Sequence, residues 1–379
     1  MCQAVWRSPL LPFMPTTQTQ PSSSSDSPAL SSLGSGRRFK SDLLAYLRTY
    51  GQAKTGSLTK QLREYDFRGV RAALVASTPS KLNMRSLDPD TEALWGWLGL
   101  KRVLGAIPVP PATKGVKPRI VVQVSSIASL GQNDKWLAGT LLDTLAASSS
   151  KSSSSGPKLK PKFSIIFPTA DEIRRSLDGY SSGSSIHMKT QSAAQAKQVA
   201  YMRPMLCHWA GDGEQNTPTE SITPIREAGR RRAAPHIKTY IRFTDSSLTS
   251  IEWAMVTSAN LSTQAWGSSA SASGEVRICS YEMGVVVWPG LFDDAEGGSV
   301  EMVPVFKQDA PSVDQLSNAT REALDGPDLQ RRRKSVIGFR MPYDLPLVPY
   351  GENDMPWCAT SPCSELDWMG RTWPGFGQG

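Results

Sequence analysis

Short apolar runs, each about one β-strand long and separated by segments with helical spacing, constrain this chain more than any other feature. Val70 to Ala76, Arg119-Ile120-Val121-Val122-Gln123-Val124, Phe163 to Phe167, Ile251 to Val256 and Val285-Val286-Val287-Trp288 read as buried strands. Leu43, Leu44 and Leu47 predict a helix between Phe39 and Tyr50. Further helices are expected over Trp136 to Ala147, from about Ala170 to Leu177, and over Ala193 to Met205. Strands alternating with helices predict an α/β architecture whose sheet lies between helical layers. The 379 residues suit one large or two medium domains. No apolar run approaches the ~20 residues of a membrane span. Met1 to Pro15 is broken by Arg7 and three prolines and does not read as a signal peptide.

The chemistry concentrates in two neighbouring pieces, His236-Ile237-Lys238 and Thr257-Ser258-Ala259-Asn260. The run from His236 to Arg242 has the β-branched and aromatic content of a strand. Strand period places His236, Lys238 and Tyr240 on one face and Ile237, Thr239 and Ile241 on the other. Asn260 falls where the Ile251 to Val256 strand runs out. An imidazole, an ammonium and a carboxamide in that arrangement suit phosphoryl transfer. Lysine neutralises a non-bridging oxygen, the amide donates a second hydrogen bond, and the imidazole acts as nucleophile, acid or base. A second His-x-Lys, His187-Met188-Lys189, follows a Ser/Gly-rich turn with no downstream Asn element and reads as surface or turn.

The motifs resemble the second catalytic motif of the tyrosyl-DNA phosphodiesterase family, a branch of the phospholipase D superfamily. The resemblance rests on Pro235 to Tyr240, Val256 to Ser262, Ala265-Trp266-Gly267 and Ser280 to Val285. Asn260 stands where most of the superfamily has Asp, as that branch does. Arg38 to Leu44, the serine loop Gln123 to Gly131, Pro342 to Pro346 and Met355-Pro356-Trp357 are similar to other family segments. The resemblance implies a phospholipase D-like α-β-α sandwich with a mixed sheet. It implies His236 as general acid/base, Lys238 and Asn260 as phosphate clamps, and Glu282 orienting His236. Ser125, Ser126, Ser129 and Ser262 would contact phosphates, with Trp357 stacking on a base or on the peptide. No cofactor or metal is implied, because Lys and Asn replace the cation many nucleases use. The substrate implied is DNA, single- or double-stranded at its 3′ end, carrying a 3′-phosphotyrosyl adduct from topoisomerase I. Hydrolysis would pass through a phosphohistidine, in single-strand break repair in the nucleus, with no membrane partner.

The family pattern has two such motifs, and this chain shows a counterpart to the second only. Its three histidines are His187, His208 and His236. The expected organisation is a disordered segment over 1–36, a remnant of the first phospholipase D-like domain over 37–67, and a complete second domain over 68–379. The alternative is a catalytically inactive half that only binds DNA phosphate. A net charge of +8 and a pI near 9.2 fit a polyanionic partner. Arg230-Arg231-Arg232 and Arg331-Arg332-Arg333-Lys334 are candidate DNA-phosphate contacts or import signals, with solvated charge as the default. Five scattered cysteines without paired spacing read as reduced thiols.

Overall fold

A computed structural model describes residues 2–14, 33–87, 93–109, 116–149, 160–210, 224–293, 299–317 and 334–376. The strands are β1 Ala73–Ser77, β2 Ser80–Asn83, β3 Arg119–Gln123, β4 Ser126–Ile127, β5 Lys162–Ile166, β6 His187–Met188 and β7 Leu206–Cys207. They continue with β8 Thr239–Phe243, β9 Ile251–Thr257, β10 Glu275–Ile278, β11 Glu282–Val287, β12 Ser299–Val305 and β13 Lys334–Arg340. The main sheet has nine strands, in the order β1-β11-β9-β8-β3-β5-β7, with β12 joined to β9 and β13. It is mixed: β3-β5, β5-β7 and β12-β13 are parallel, and the central pairs β8-β9 and β3-β8 are antiparallel. Among the described residues no helix is long and apolar enough to cross a membrane.

The strand expectations agree with the structure to within a few residues, because β-branched runs buried on both faces have few alternatives. β1, β8 and β9 carry almost no exposed residue. Helix α1, Gly36–Arg48, is capped by Ser35, whose hydroxyl accepts from Arg38 N at 3.3 Å. With α2, Gln52–Arg63, it covers the β1 side of the sheet through Phe39, Tyr46, Phe67 and Leu74. Helix α3, Gly96–Ala106, buries Leu100, Val103 and Leu104 in the larger core. The helix expected over Trp136 to Ala147 is wound more widely at first, with a π-turn over Leu137–Leu142 before a last helical turn.

The segment expected to be disordered is divided. Residues 15–32 lie outside the described residues, while residues 2–14 run along the domain. Cys2 bridges to Pro235, Trp6 packs its ring 5.5 Å from Phe39, and Phe13 bridges to Tyr65. Four backbone hydrogen bonds hold this segment, Cys2 N to Ala234 O at 2.8 Å, His236 N to Cys2 O at 3.0 Å, Asp66 N to Pro12 O at 2.8 Å and Met14 N to Glu64 O at 2.8 Å. Serine-rich composition describes the stretch after Pro15 and says nothing about the apolar residues before it.

A bulge between β8 and β9 leaves Glu252 without a partner in the ladder and turns its carboxylate onto Arg242. Both side chains are nearly out of water, at 7% and 6% exposure. Arg242 also donates to Ala146 O at 3.3 Å, which ties the helical layer to the central strands. Breaking such a pair strands one buried charge. Arg242→Leu alone is therefore expected to cost about 3–5 kcal/mol, and Arg242→Leu with Glu252→Leu clearly less. Urea unfolding of the three proteins checks the ordering.

Candidate active site

β8 and β9 converge on the site from the centre of the sheet. Thr257 N donates to Lys238 O at 3.1 Å, so the residues just before β8 remain tied to the end of β9. The strand expectation for His236 to Arg242 begins too early, since regular pairing starts at Thr239. His236 and Lys238 lie in extended chain just ahead of it and still share one side. Lys238 Nζ lies 3.3 Å from both His236 ring nitrogens and donates to His236 O at 2.8 Å. Ile237, between them, is buried at 4%.

Lys238 is 5% exposed, and burial pulls its pKa down to about 8, with the Glu282 carboxylate partly opposing. His236 is held below the ordinary imidazole value, first by burial and then by the charges of Lys238 and His187. Glu282 is held above the usual carboxylate range by burial, offset by its bond from Ser258 and by Lys238. The resting site thus carries less charge than its residue types suggest, and an anion between Lys238 and His236 would restore it.

Asn260 is fixed from the other side. Its Oδ1 accepts from Ser125 N at 3.1 Å and Ser126 N at 2.9 Å. Ser125 Oγ lies 3.3 Å from the same oxygen. Because Oδ1 is taken, Nδ2 is the group Asn260 offers outward. The loop carrying it is braced by Tyr240, whose hydroxyl donates to Ala259 O and accepts from Trp266 Nε1, each at 3.2 Å.

Several sequence expectations change here. Glu282 accepts from Ser258 Oγ, and the bond to the His236 ring comes from Gln3 Nε2, 2.9 Å from Nδ1. Gln3 thus occupies the Nδ1 side of the His236 ring. Sequence reasoning missed Gln3; the only available hint was the apolar Val5-Trp6 pair following it. Trp357 is fully buried, donating to Gly183 O at 2.9 Å, and cannot stack on a ligand. Ser262 caps the helix Thr263–Trp266 by accepting from Ala265 N. Ser125 is 1% exposed and serves the site through its backbone and Asn260, while Ser126 is half-buried and Ser129 exposed. The triple arginine is committed elsewhere: Arg230 reaches Cys2, Arg231 pairs with Asp344, and Arg232 donates to Arg175 O. Arg331 to Arg333 lie outside the described residues. His208 is wedged between Glu172 and Asp354, whereas His187 and Lys189 are exposed, in keeping with a surface or turn, with His187 beside the serine loop.

Behind His236 and Lys238 lies a cavity of about 520 Å³, with polar groups at Gln3, His236, Lys238 and Ser258 and an apolar wall that includes Trp6, Phe39, Leu74 and Val285. It sits where residues 2–14, α1 and the sheet meet.

The family model described as tyrosyl-DNA phosphodiesterase matches residues 1–351. The chain belongs to the tyrosyl-DNA phosphodiesterase family. It is 33% identical over 355 residues to a probable tyrosyl-DNA phosphodiesterase of Schizosaccharomyces pombe, covering 89% of this chain and 57% of that protein. It is 26% identical to tyrosyl-DNA phosphodiesterase 1 of Arabidopsis thaliana, covering 89% of this chain and 53% of that one. The chain therefore spans a little over half the length of these relatives. A crystal structure of the yeast tyrosyl-DNA phosphodiesterase superposes with a TM-score of 0.55 at 20% identity, covering 93% of this chain and 68% of that one. That likeness supports the mixed-sheet α/β fold of the family.

The depressed ammonium gives a test with a definite sign. Lys238 is charged below about 8 and loses its proton above it, while a bound phosphate raises its pKa again. Affinity for a 3′-phosphorylated single strand should therefore fall as pH rises past that point, by at most about tenfold per pH unit. Lys238→Ala should weaken binding about 10- to 100-fold at neutral pH, the loss of a charge-assisted bond of ~1.5–3 kcal/mol, and should remove the alkaline fall. Fluorescence anisotropy across the pH range reads both effects.

Proposed function

We propose that this site binds the phosphate of a 3′ DNA adduct and serves the leaving-group side of its hydrolysis. The whole protein then acts as a tyrosyl-DNA phosphodiesterase on 3′-phosphotyrosyl ends left by topoisomerase I, in nuclear single-strand break repair. The observation that carries this reading is the convergence of Lys238 Nζ on both His236 ring nitrogens at 3.3 Å. The half-buried Asn260 side chain is held at the next strand end through its Oδ1 by two backbone amides. These are the parts a phosphate ester needs: a cation, an oriented amide donor and a proton carrier.

Gln3 occupies the Nδ1 side of His236, its amide turned to accept through Oε1 once the ring is protonated, and Nε2 carries the mobile proton. An anionic phosphate between Lys238 and His236 raises the pKa of both, so the imidazole enters the reaction protonated. It then gives its Nε2 proton to the departing tyrosyl oxygen as the phosphorus–oxygen bond breaks. Transfer is favourable because a phenol, near 10, is a far weaker acid than an imidazolium, near 6.5. The nucleophile that takes the phosphoryl group is the histidine of the family's first motif. In the second half-reaction neutral His236 takes a proton from water as the oxygen attacks the phosphohistidine. Lys238 and Asn260 hold the non-bridging oxygens throughout, and Glu282 sustains the charge on Lys238.

Residues 1–379 alone should bind a 3′-phosphotyrosyl oligonucleotide with little turnover. Attack and leaving-group protonation occur on opposite sides of phosphorus, and His236 serves one of them. Supplying a polypeptide with the family's first His-x-Lys motif, fused or in trans, should restore hydrolysis without added metal. His236→Ala should then accumulate a covalent protein–DNA adduct, seen as a gel-shifted band. Rapid turnover by residues 1–379 alone would show that the attacking group lies within them. Absence of binding at low salt would overturn the phosphate site itself.

A further inference from the structure

The cavity behind His236 and Lys238 has a polar end and an apolar body, and the sheet sets its long direction. Leu74 on β1 stands opposite Val285 on β11, and Val285 stands opposite Val256 on β9. Opposed residues share a face, so these three side chains form one row across three strands. All three line the cavity. Neighbouring strands lie about 4.8 Å apart, which gives the row a span of roughly 10 Å. At its β9 end Thr257 N holds Lys238 O, and His236 and Lys238 line the cavity there. At its β1 end Phe39 and Leu43 of α1 and Leu62 of α2 form the wall.

Residues 2–14 cross over this space. They are anchored at Cys2, bonded to Ala234 and His236, and again at Pro12 and Met14, bonded to Asp66 and Glu64. Between the two anchors Trp6 and Leu11 line the cavity, and the Trp6 ring lies 5.5 Å from that of Phe39. The positive charge sits at one end only. Lys238 Nζ donates to His236 O and lies against the His236 ring, with Gln3 on the far side of that ring. Asn260, which the phosphate reading also requires, does not line the cavity. Neither does Glu282, whose carboxylate accepts from Ser258 Oγ. A molecule lying in the cavity therefore meets one ammonium, an imidazole and a carboxamide at one end. That set suits a single negative charge, and the rest of the wall suits hydrocarbon.

We propose that this cavity is a binding site for a single-chain aliphatic acid, with its carboxylate on Lys238 and its alkyl chain laid across β9, β11 and β1 toward α1. The volume of about 520 Å³ lies within the range of small-molecule sites, which are mostly apolar with a few placed polar groups. Binding makes and breaks no covalent bond and does not depend on phosphodiester chemistry. One consequence does rest on the phosphate reading: because both ligands use Lys238, a bound acid excludes a 3′-terminal phosphate from the site.

Equilibrium dialysis of the unaltered protein against hexanoate, octanoate and decanoate, with 1-octanol and benzoate as controls, tests the site. Each methylene taken into the cavity should strengthen binding about fourfold, so affinity should rise about fifteenfold from each acid to the next. Lys238→Ala should weaken the three acids about tenfold or more and leave octanol unchanged. Leu43→Phe fills the α1 end of the cavity, and its melting temperature checks the fold. It should weaken decanoate about tenfold through overpacking and leave hexanoate within about twofold. No binding of decanoate, or affinity that ignores chain length, would overturn the proposal and leave the cavity as a gap in packing. Equal losses for hexanoate and decanoate in Leu43→Phe would overturn the path assigned to the chain. Benzoate bound more tightly than octanoate would overturn the aliphatic ligand in favour of an aromatic one. Fluorescence anisotropy then separates the two readings. Decanoate that binds with the expected length dependence and fails to displace a 3′-phosphorylated strand would uphold the acid site and overturn the placing of phosphate on Lys238.

Discussion

The site depends on one ammonium kept almost entirely out of water. Lys238 is held there because the strand it leads into is buried on both faces, and because its own carbonyl is tied to Thr257. Burying a cation is costly without a partner. Its Nζ donates to the His236 carbonyl, and its nearest carboxylate influence is Glu282. The result is a lysine whose pKa has fallen to about 8 and an imidazole biased to neutrality beside it. A dianionic phosphate relieves both penalties at once. The same arrangement that destabilises the empty site thus gives it selectivity for an anion, since the gain on binding includes the strain that binding removes.

Around that cation the sheet acts as a positioning device. Adjacent antiparallel strands deliver Lys238 and the Asn260 loop to the same end, and β3 delivers the serine loop beside them. Asn260 is locked by two backbone amides, which costs little in side-chain entropy and leaves one end of its amide for a ligand. Tyr240 and Trp266 brace the loop from the core. Residues 2–14 complete the site, with Gln3 holding the Nδ1 side of the His236 ring.

Much of this was legible in the sequence because the signals were local. The strands around Val121, Ile165 and Ala254 are apolar runs with no alternative use, and the structure has them all. His236 and Lys238 stand out as an imidazole and an ammonium two residues apart just ahead of one strand, and Asn260 as a carboxamide just past the end of the next. What was not legible depends on contacts between distant residues. Gln3 lies 233 positions from His236, and nothing around it marks it as a partner. The family resemblance gives Glu282 to His236, but its carboxylate accepts from Ser258 Oγ, just past the end of the neighbouring strand. Trp357 was expected to face a ligand, yet its large apolar surface is better used in the core, against Tyr180 and Trp373. His187 reads as surface or turn from its neighbours, and only the pairing of β4 with β6 shows that this surface borders the serine loop.

The most direct test of this account is the protonation of Lys238 itself, followed by nitrogen-15 NMR of the side-chain ammonium with and without a phosphate monoester. The account requires a free value near 8 that rises on adding thymidine 3′-phosphate, with His236 rising in parallel. A Lys238 value in the ordinary lysine range that ignores the ligand would contradict it.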